Sequence, residues 1–212
     1  MKILITGATG FIGQNLIKNI INEDFDVIGV ARNINKKEFK NKFRNKIKLI
    51  EFDISSNCKV LYDKIGVPDV LIHLAWAGLP NYQNDFHLKK NLPEHKNFLY
   101  KSIDLGVKQI IVSGTCFEYG KQEGMMKEDD KTTPVTKYGL AKDSLRIELE
   151  NKQFEKKFIL QWVRLFYMYG PGQNPKSLVP SLNQAITKNL DFFGISDGSL
   201  IRDFMSINDY RL

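Results

Sequence analysis

The sequence predicts an α/β protein built on a doubly wound parallel sheet. Two observations carry this prediction: short apolar runs alternate with longer amphipathic stretches, and a glycine-rich turn follows the first run. Strands that alternate with helices pair in parallel, because each helix returns the chain across one face of the sheet. We therefore expect a sheet that is covered by helices on both faces.

Six apolar runs are predicted strands, and four stretches between them are predicted helices. The strands are 2–6, 26–31, 47–52, 70–74, 109–113 and 158–163, and the helices are 11–22, 57–65, 86–105 and 135–152. After Gly170, proline and glycine interrupt the alternation, which indicates shorter elements. We divide the chain accordingly into a main domain, 1–169, and a smaller region, 170–212.

Length and composition set the class of protein. The 212 residues suffice for one full domain and a small annex. The longest apolar stretch, 70–79, is about half of what a membrane-spanning helix needs, and no hydrophobic signal region follows Met1. Cys58 and Cys116 have no paired spacing, which argues against a disulfide framework and a zinc site. We expect a cytoplasmic protein that is not embedded in a membrane.

The net charge of +7 comes from one segment. Residues 32–48 contain eight lysines and arginines against one acidic residue, Glu38, so the remaining chain is close to neutral. A surface for nucleic acid is therefore not indicated. Phosphate binding is plausible for one or two members of the segment, and the others are expected to form a solvated surface.

The first strand runs directly into the turn Thr6-Gly7-Ala8-Thr9-Gly10 and the start of a helix. Of three evenly spaced glycines, the first permits an unusual backbone angle, the second lets the backbone approach a pyrophosphate, and the third lets the helix lie close to the strand. The helix amino terminus then offers free N–H groups to the anion. The residues expected to bind a dinucleotide here are Gly7, Thr9, Gly10, Phe11, Ile12 and Gly13.

The residue after the second strand bears on the form of the dinucleotide. An acid there would bond the adenosine ribose, whereas an arginine suits a 2′-phosphate. This chain has Arg32, so we favour NADP over NAD, with Lys36 or Lys37 as weaker helpers; an exposed arginine in a turn is the alternative. Asp53, with Ile54 beside it, follows the third strand and is a candidate for the adenine amino group or, alternatively, a helix cap.

Tyr138 and Lys142 are four residues apart, which places both on one face of a helix. A phenol with a pKa of about 10 is a poor base at neutral pH, but a nearby cation favours the phenolate. In the opposite direction the same phenol donates a proton to a carbonyl oxygen. The alternative is a half-buried tyrosine with a surface lysine.

The chain resembles the extended short-chain dehydrogenase/reductase family, the NAD-dependent epimerases and dehydratases, over residues 2–209. The glycine triplet, the strand ending Ser113-Gly114-Thr115 before Tyr119-Gly120, and the following Tyr-x-x-x-Lys occur in the family's order. The resemblance implies a Rossmann-like fold and an enzyme that modifies nucleotide sugars. Residues 1–169 are then the dinucleotide-binding domain with the catalytic residues, and 170–212 is a partial, truncated substrate-binding region.

The resemblance also implies roles for individual residues. Tyr138 becomes the acid/base, Lys142 binds the nicotinamide ribose, and Thr115 bonds the substrate oxygen. Asn91 supports an active-site water and the lysine. Further similarities to the family place Leu74 and Ala75 beside the adenosine. They also place Tyr167 and Arg202 at the substrate, with Arg202 on the diphosphate. No metal is expected.

The family resemblance offers four reactions for this site. Dehydratases of the family have an Asp-Glu pair where this chain has Cys116-Phe117, and the cysteine of the 3,5-epimerase/reductases is displaced here by one position. A 4-epimerase with tightly bound NAD stays open. Our first choice is NADPH-dependent reduction of a nucleotide-linked 4-keto-6-deoxy sugar in cell-surface polysaccharide biosynthesis.

Two further expectations concern partners. Because the annex is short, the alternative to an enzyme is a protein that binds NAD(P) without catalysing a reaction. The resemblance implies a homodimer formed by helices 86–105 and 135–152, unless their apolar residues face the protein's own sheet. Those apolar residues are Phe98, Leu99, Ile103, Leu140, Leu145 and Ile147.

Overall fold

A computed structural model describes residues 1–34, 41–43 and 46–209. Six strands form one parallel sheet in the order β3-β2-β1-β4-β5-β6, which confirms the predicted fold class. The strands are β1 Lys2–Thr6, β2 Asp26–Ala31, β3 Lys48–Glu51, β4 Val70–His73, β5 Gln109–Thr115 and β6 Ile159–Leu165. The order reverses between β1 and β4, where a crevice opens at the carboxyl ends of such strands.

The predicted helices are confirmed, and a further helix follows in the annex. The helices are α1 Phe11–Ile20, α2 Cys58–Ile65, α3 Leu92–Asp104, α4 Lys137–Glu155 and α5 Leu178–Thr187. A π-helical turn, His87–Asn91, precedes α3, and a 3₁₀ turn, Cys116–Glu118, follows β5. None of the described helices combines the length and apolar character needed to cross a membrane.

Helices cover both faces of the sheet. In β1, Ile3 and Ile5 pack with Leu16 and Ile17 of α1, while Leu4 between them packs on the opposite face. This alternation follows from the two-residue period of a strand. The face of Leu4 contacts three helices through Leu61, Tyr62, Ile65, Phe98, Leu99, Ile103, Leu145 and Leu149.

The helices predicted for a dimer bury most of their apolar residues in the protein itself. Four of the six proposed contact residues belong to the core: Phe98, Leu99, Ile103 and Leu145. Leu140 and Ile147 are 43% and 44% exposed. Of the six, only these two residues of α4 are left exposed to a partner, because α3 and α4 pack against each other and against the sheet. The homodimer itself stays a prediction.

A small second sheet begins directly after β6. Its strands, β7 Tyr167–Tyr169 and β8 Phe204–Ser206, pair in parallel. β7 lies before the predicted boundary at residue 170 but pairs with a strand beyond it. The Asn15 side chain of α1 also donates to the Pro171 carbonyl at 2.9 Å. The division into two domains stays a prediction.

Two histidines form a buried polar pair between β4 and α3. His73 Nε2 and His95 Nδ1 are 2.6 Å apart, and Thr6 Oγ1 lies 2.9 Å from His73 Nδ1. Burial lowers the pKa of His73 to about 3 and holds the pKa of His95 well below its usual range. Both rings are therefore neutral in the folded protein near pH 7.

Gly13→Ala should destabilise the fold, because its Cβ would lie 2.4 Å from the Gly7 carbonyl oxygen and 2.9 Å from the Ala8 Cα. Overpacking of this kind costs about 2 kcal/mol, more than the roughly 1 kcal/mol that alanine gains over glycine within a helix. Urea denaturation measures the change. Gly194→Ala is the matched control, since its Cβ meets no atom within 4 Å. Equal stability of both variants would contradict the close packing of α1.

Stability should fall as the pH drops from 7 to 5. The unfolded histidines take up protons near pH 6.5, whereas His73 and His95 resist protonation in the fold. Each contributes a slope approaching about 1.4 kcal/mol per pH unit below that value. Urea titrations at several pH values measure the slope, and His95→Gln should reduce it. A flat profile for the wild type would show that the pair is not held neutral.

Candidate active site

A cavity of about 610 Å³ opens at the carboxyl ends of β1 to β4. This is the place where a doubly wound sheet binds its ligand. Residues from the glycine turn, from the ends of three other strands and from the start of α3 line it. They include Thr6, Gly7, Thr9, Gly10, Ala31, Arg32, Phe52, Asp53, Ile54, Leu74, Ala75, Trp76, Ala77, Asn91 and His95.

The glycine turn brings backbone close to the cavity. Gly7 has a φ of +68°, and a Cβ there would lie 2.8 Å from the Ala75 nitrogen. Gly10 donates its N–H to the Gly7 carbonyl at 2.9 Å, which closes the turn. The first glycine is therefore required both by its backbone angle and by the adjacent end of β4.

Three residues of the predicted dinucleotide set take a different position. Phe11, Ile12 and Gly13 form the first turn of α1 and are not among the described residues that line the cavity. In the first turn of a helix the backbone N–H groups have no partner within the helix. These three residues can therefore offer backbone N–H groups to a ligand. These groups suit an anion at the amino end of α1.

Arg32 and Asp53 both line the end of the cavity that lies just after β2 and β3. Asp53 Oδ1 accepts hydrogen bonds from the Ser55 N–H and hydroxyl, each at 2.9 Å. These bonds, with a smaller contribution from the positive charge of Arg32, hold the pKa of Asp53 below its usual range. Ile54 lines the same end. An arginine and an ionised carboxylate therefore share the predicted adenosine side.

Two related expectations have different outcomes. Asp53 is not the cap of α2, because Asn57 takes that place and its side chain accepts from the Lys59 N–H at 3.1 Å. Lys36 and Lys37, the expected helpers of Arg32, lie outside the described residues.

Lys142 is buried beside the end of β5. Its side chain is fully enclosed, with the residue 1% exposed, and Nζ donates to the Ser113 carbonyl at 2.8 Å. Nζ also lies 4.1 Å from the centroid of the Trp76 ring. Burial lowers the pKa of Lys142 to about 7, and the negative charge of Glu118 opposes this effect. Lys142 is not among the described cavity-lining residues, whereas Trp76 is.

Tyr138 faces inward among aromatic rings. The residue is 7% exposed, and its ring lies 5.3 Å from His87, 5.7 Å from Tyr82 and 5.9 Å from Trp76. The alternative of a half-buried tyrosine with a surface lysine is therefore excluded. Glycine at position 139 lets α4 lie close to the 3₁₀ turn, because a Cβ there would lie 2.6 Å from the Phe117 carbonyl oxygen.

Burial controls the titration of Tyr138. It raises the pKa of the phenol, and the nearby Thr115 side chain opposes this effect. The structure thus brings the two predicted hydroxyls together. The expectation that Lys142 lowers the pKa of Tyr138 toward neutrality is not met in the protein alone, because burial shifts the phenol upward and the ammonium downward.

Asn91 occupies the end of the π-helical turn and lines the cavity. Its Nδ2 donates to the Ala77 carbonyl at 2.9 Å and lies 3.4 Å from His87 Nδ1. The amide therefore anchors the loop that follows β4 to the start of α3.

Sequence reasoning gave no role to Glu118, which is fully buried at the active-site turn. Its carboxylate accepts from the Thr115 N–H at 2.8 Å, from Trp162 Nε1 at 3.0 Å and from Arg164 Nε at 2.8 Å. Burial raises the pKa of Glu118, and the Arg164 hydrogen bond opposes the rise. Glu118 fixes the backbone of Thr115. The sequence feature that could have identified Glu118 is a carboxylate within an otherwise apolar stretch.

The predicted substrate residues lie together on the annex side. The Arg202 guanidinium is 4.3 Å from the centroid of the Tyr167 ring. Burial raises the pKa of Cys116, while Arg202 and Tyr167 lower it. Burial raises the pKa of Tyr82, whose ring contacts Tyr138, and the positive charge of Arg202 opposes this effect. The arginine is therefore close to the aromatic residues around the proposed acid/base.

These features fit a dinucleotide. The cavity joins a backbone cradle at Gly7 and Gly10 to a charged end at Arg32 and Asp53 and to an aromatic end at Trp76. A Cβ at Gly10 would lie 3.2 Å from the Gly7 carbonyl oxygen, within that cradle. In the described part of the chain, no group of three or more metal-ligating side chains is arranged to hold a metal.

Two curated relatives match the full chain. The dTDP-6-deoxy-L-talose 4-dehydrogenase (NAD(+)) of Aggregatibacter actinomycetemcomitans is 30% identical over 216 residues, which cover 100% of this chain and 78% of that protein. The GDP-6-deoxy-D-talose 4-dehydrogenase of the same organism is 31% identical over 228 residues, covering 100% of this chain and 70% of that protein.

Solved structures and a family model agree with these relatives. A UDP-glucuronic acid 4-epimerase from Bacillus cereus, in complex with NAD, superposes with a TM-score of 0.84 at 26% identity and covers 99% of this chain and 71% of that one. The family model of NAD dependent epimerases and dehydratases matches residues 3–211. The chain therefore belongs to the NAD dependent epimerase/dehydratase family.

Proposed function

We propose that the protein reduces the 4-keto group of a nucleotide-linked 6-deoxy sugar with a reduced nicotinamide dinucleotide. The observation that carries this proposal is the burial of Tyr138 and Lys142, one helical turn apart on α4, beside the end of β5. The names of both relatives describe oxidation at carbon 4 of a 6-deoxy sugar. Reduction of the 4-keto sugar is the reverse of that reaction.

In this proposal Tyr138 is the proton donor. The Thr115 hydroxyl holds the substrate carbonyl oxygen, and Tyr138 delivers its proton to that oxygen as negative charge develops there. A reduced nicotinamide, when bound, would supply a hydride to the carbonyl carbon. Lys142 bonds the nicotinamide ribose and stabilises the phenolate that remains, because an adjacent cation favours the charged form of a phenol.

The other predicted residues bind and orient the two ligands. Backbone N–H groups of the glycine turn and of the first turn of α1 hold the pyrophosphate. Asp53 accepts from the adenine amino group, and Leu74 and Ala75 contact the adenosine side. Arg202 pairs with the sugar-nucleotide diphosphate, since its planar guanidinium matches phosphate oxygens. Tyr167 supports Arg202 through the observed ring contact.

The preferred form of the cofactor depends on Arg32. The name of one relative specifies NAD(+), and the Bacillus cereus epimerase was solved with NAD. Both support a nicotinamide dinucleotide, and neither supports a preference for NADP. We retain the preference for NADPH as a proposal based on the guanidinium, although the ionised Asp53 in the same cavity reduces its attraction for a 2′-phosphate.

A 4-epimerase with tightly bound NAD is the second candidate, because the similar solved structure is a 4-epimerase and the reaction uses the same three side chains. Epimerisation returns the cofactor to its starting form, whereas reduction consumes it. Cytoplasmic location, a homodimer and a place in polysaccharide biosynthesis stay predictions.

The proposal is tested with a panel of dTDP-, CDP-, GDP- and UDP-linked 4-keto-6-deoxy sugars and either NADPH or NADH. We expect stoichiometric loss of nicotinamide absorbance and a 4-hydroxy product for one nucleotide. A change in sugar configuration without net loss of cofactor would replace the reductase with the epimerase. Cofactor binding without turnover of any sugar would favour the non-catalytic alternative.

Tyr138→Phe should lower kcat by about 10²- to 10⁴-fold, the contribution typical of a positioned proton donor. Cofactor affinity should be unchanged, since the ring and its packing are kept. Steady-state kinetics and fluorescence titration measure both quantities. Tyr62→Phe is the control, because it removes a buried hydroxyl that bonds Ser102 at 2.8 Å in the core. Parallel loss of binding and activity in Tyr138→Phe would indicate a structural role.

Arg32→Ala should lower kcat/KM for NADPH by at least about 10-fold, the typical effect of losing a hydrogen bond to a charged group. The value for NADH should change much less, because only NADPH carries the 2′-phosphate. Lys48→Ala, from the same basic segment, is the control and should alter neither value. An equal loss with both cofactors would remove Arg32 as the discriminating residue.

A further inference from the structure

The charged end of Lys142 has an unusual environment for a residue expected to act on a cofactor. Its Nζ donates to one backbone carbonyl, that of Ser113, at 2.8 Å. The face of the Trp76 indole lies on it at 4.1 Å. An ammonium over an indole face is attracted by the ring quadrupole, and the attraction is largest where water is excluded. Lys142 is enclosed in this way, being 1% exposed.

The orientation of Trp76 is fixed by neighbours. Its Nε1 donates to His87 Nδ1 at 3.1 Å, and His87 Nε2 lies 3.0 Å from the Asn81 carbonyl oxygen. Because the carbonyl only accepts, Nε2 carries the proton and Nδ1 is free to accept from the indole. The ring also lies 4.4 Å from the His95 ring. The indole is therefore held by a hydrogen bond and by stacking.

Trp76 joins the two residues of the proposed chemistry. One face of the indole meets the Lys142 ammonium, and the ring packs against Tyr138 at a centroid distance of 5.9 Å with an interplanar angle of 66°. Asn91, whose support of the lysine stays a prediction, donates its Nδ2 to the Ala77 carbonyl.

We propose that Trp76 is a positioning residue that holds Lys142 beside Tyr138 and stabilises the charged form of the ammonium through its indole face. This inference rests on the proposed function for the catalytic use of Lys142, but the contact with Trp76 is independent of it. Trp76 acts through Lys142 and is not itself a proton donor or acceptor in the reaction.

Several titratable groups lie around Lys142. The negative charge of Glu118, after β5, opposes the lowering of the Lys142 pKa by burial. Tyr138 lies on the same helix as Lys142. His73 of β4 and His95 of α3 are both held neutral, with the positive charge of Lys142 contributing to the low pKa of each. Lys142, with a pKa near 7, is therefore the group in this cluster that changes charge near neutral pH.

The direct test is a titration of Lys142 in the folded protein by NMR. The ¹³Cε resonance of Lys142, assigned by its absence in Lys142→Met, is followed against pH in the wild type, Trp76→Phe and Trp76→Leu. We expect the pKa of Lys142 to fall by about one unit in Trp76→Leu and by less in Trp76→Phe, because phenylalanine keeps a weaker aromatic face. Trp76→Phe also covers the case in which the leucine variant does not fold.

Tyr100→Leu is the matched control. The Tyr100 ring faces Lys96 and Lys152 at 5.3 Å and 5.1 Å, outside the cavity, so its removal abolishes aromatic contacts with lysines without touching Lys142. Its Lys142 titration should match the wild type. An unchanged pKa in both Trp76 variants would overturn the proposal. A raised pKa would overturn it as well, since it would show that the indole mainly excludes water.

Kinetics supply the second readout. The high-pH limb of the kcat/KM profile should move to lower pH in Trp76→Leu, with partial rescue in Trp76→Phe, because the ammonium loses its proton earlier. A loss of kcat with an unmoved profile would mean that Trp76 only packs. If the wild type reduces no sugar, the proposed function fails, and the NMR titration still decides the role of Trp76.

Discussion

The burial of the Lys142 ammonium is the constraint on which the arrangement of the site depends. A charge removed from water is costly unless it is paired or hydrogen-bonded. Its partners are the Ser113 carbonyl at the end of β5 and the Trp76 face just after β4. These contacts fix α4 against the ends of two neighbouring strands. Tyr138, one turn earlier on α4, is thereby placed against Trp76 and near Thr115.

The glycine turn places the cofactor cavity beside this cluster. Because β1 and β4 are adjacent in the sheet, Gly7 and Ala75 come within contact distance, and the cavity continues from the turn to Trp76 and Asn91. The same sheet order separates Arg32 and Asp53 toward the opposite end. One topology thus aligns the glycine turn, the charged end at Arg32 and Asp53 and the aromatic end at Trp76 along one cavity.

Local patterns were sufficient to predict the parallel sheet, the glycine turn and the placement of Tyr138 and Lys142 on one face of a helix. They could not show which distant side chains meet. Glu118 and Arg164 are 46 residues apart in the chain, and their contact depends on the pairing of β5 with β6. Periodicity likewise identified the apolar residues of α3 and α4, but it could not distinguish a protein's own core from a partner. The opposing effects of burial on the phenol and the ammonium required the packed structure, because spacing alone carries no information on desolvation.

The most direct test of the central claim follows deuterium from the cofactor into the sugar. The protein is incubated with a 4-keto-6-deoxy nucleotide sugar and a reduced cofactor in which both hydrogens at carbon 4 of the nicotinamide are deuterium, and the product is analysed by NMR. We predict one deuterium at carbon 4 of the sugar for each cofactor oxidised. Deuterium at another carbon, or a product of changed configuration with no net oxidation of the cofactor, would contradict it.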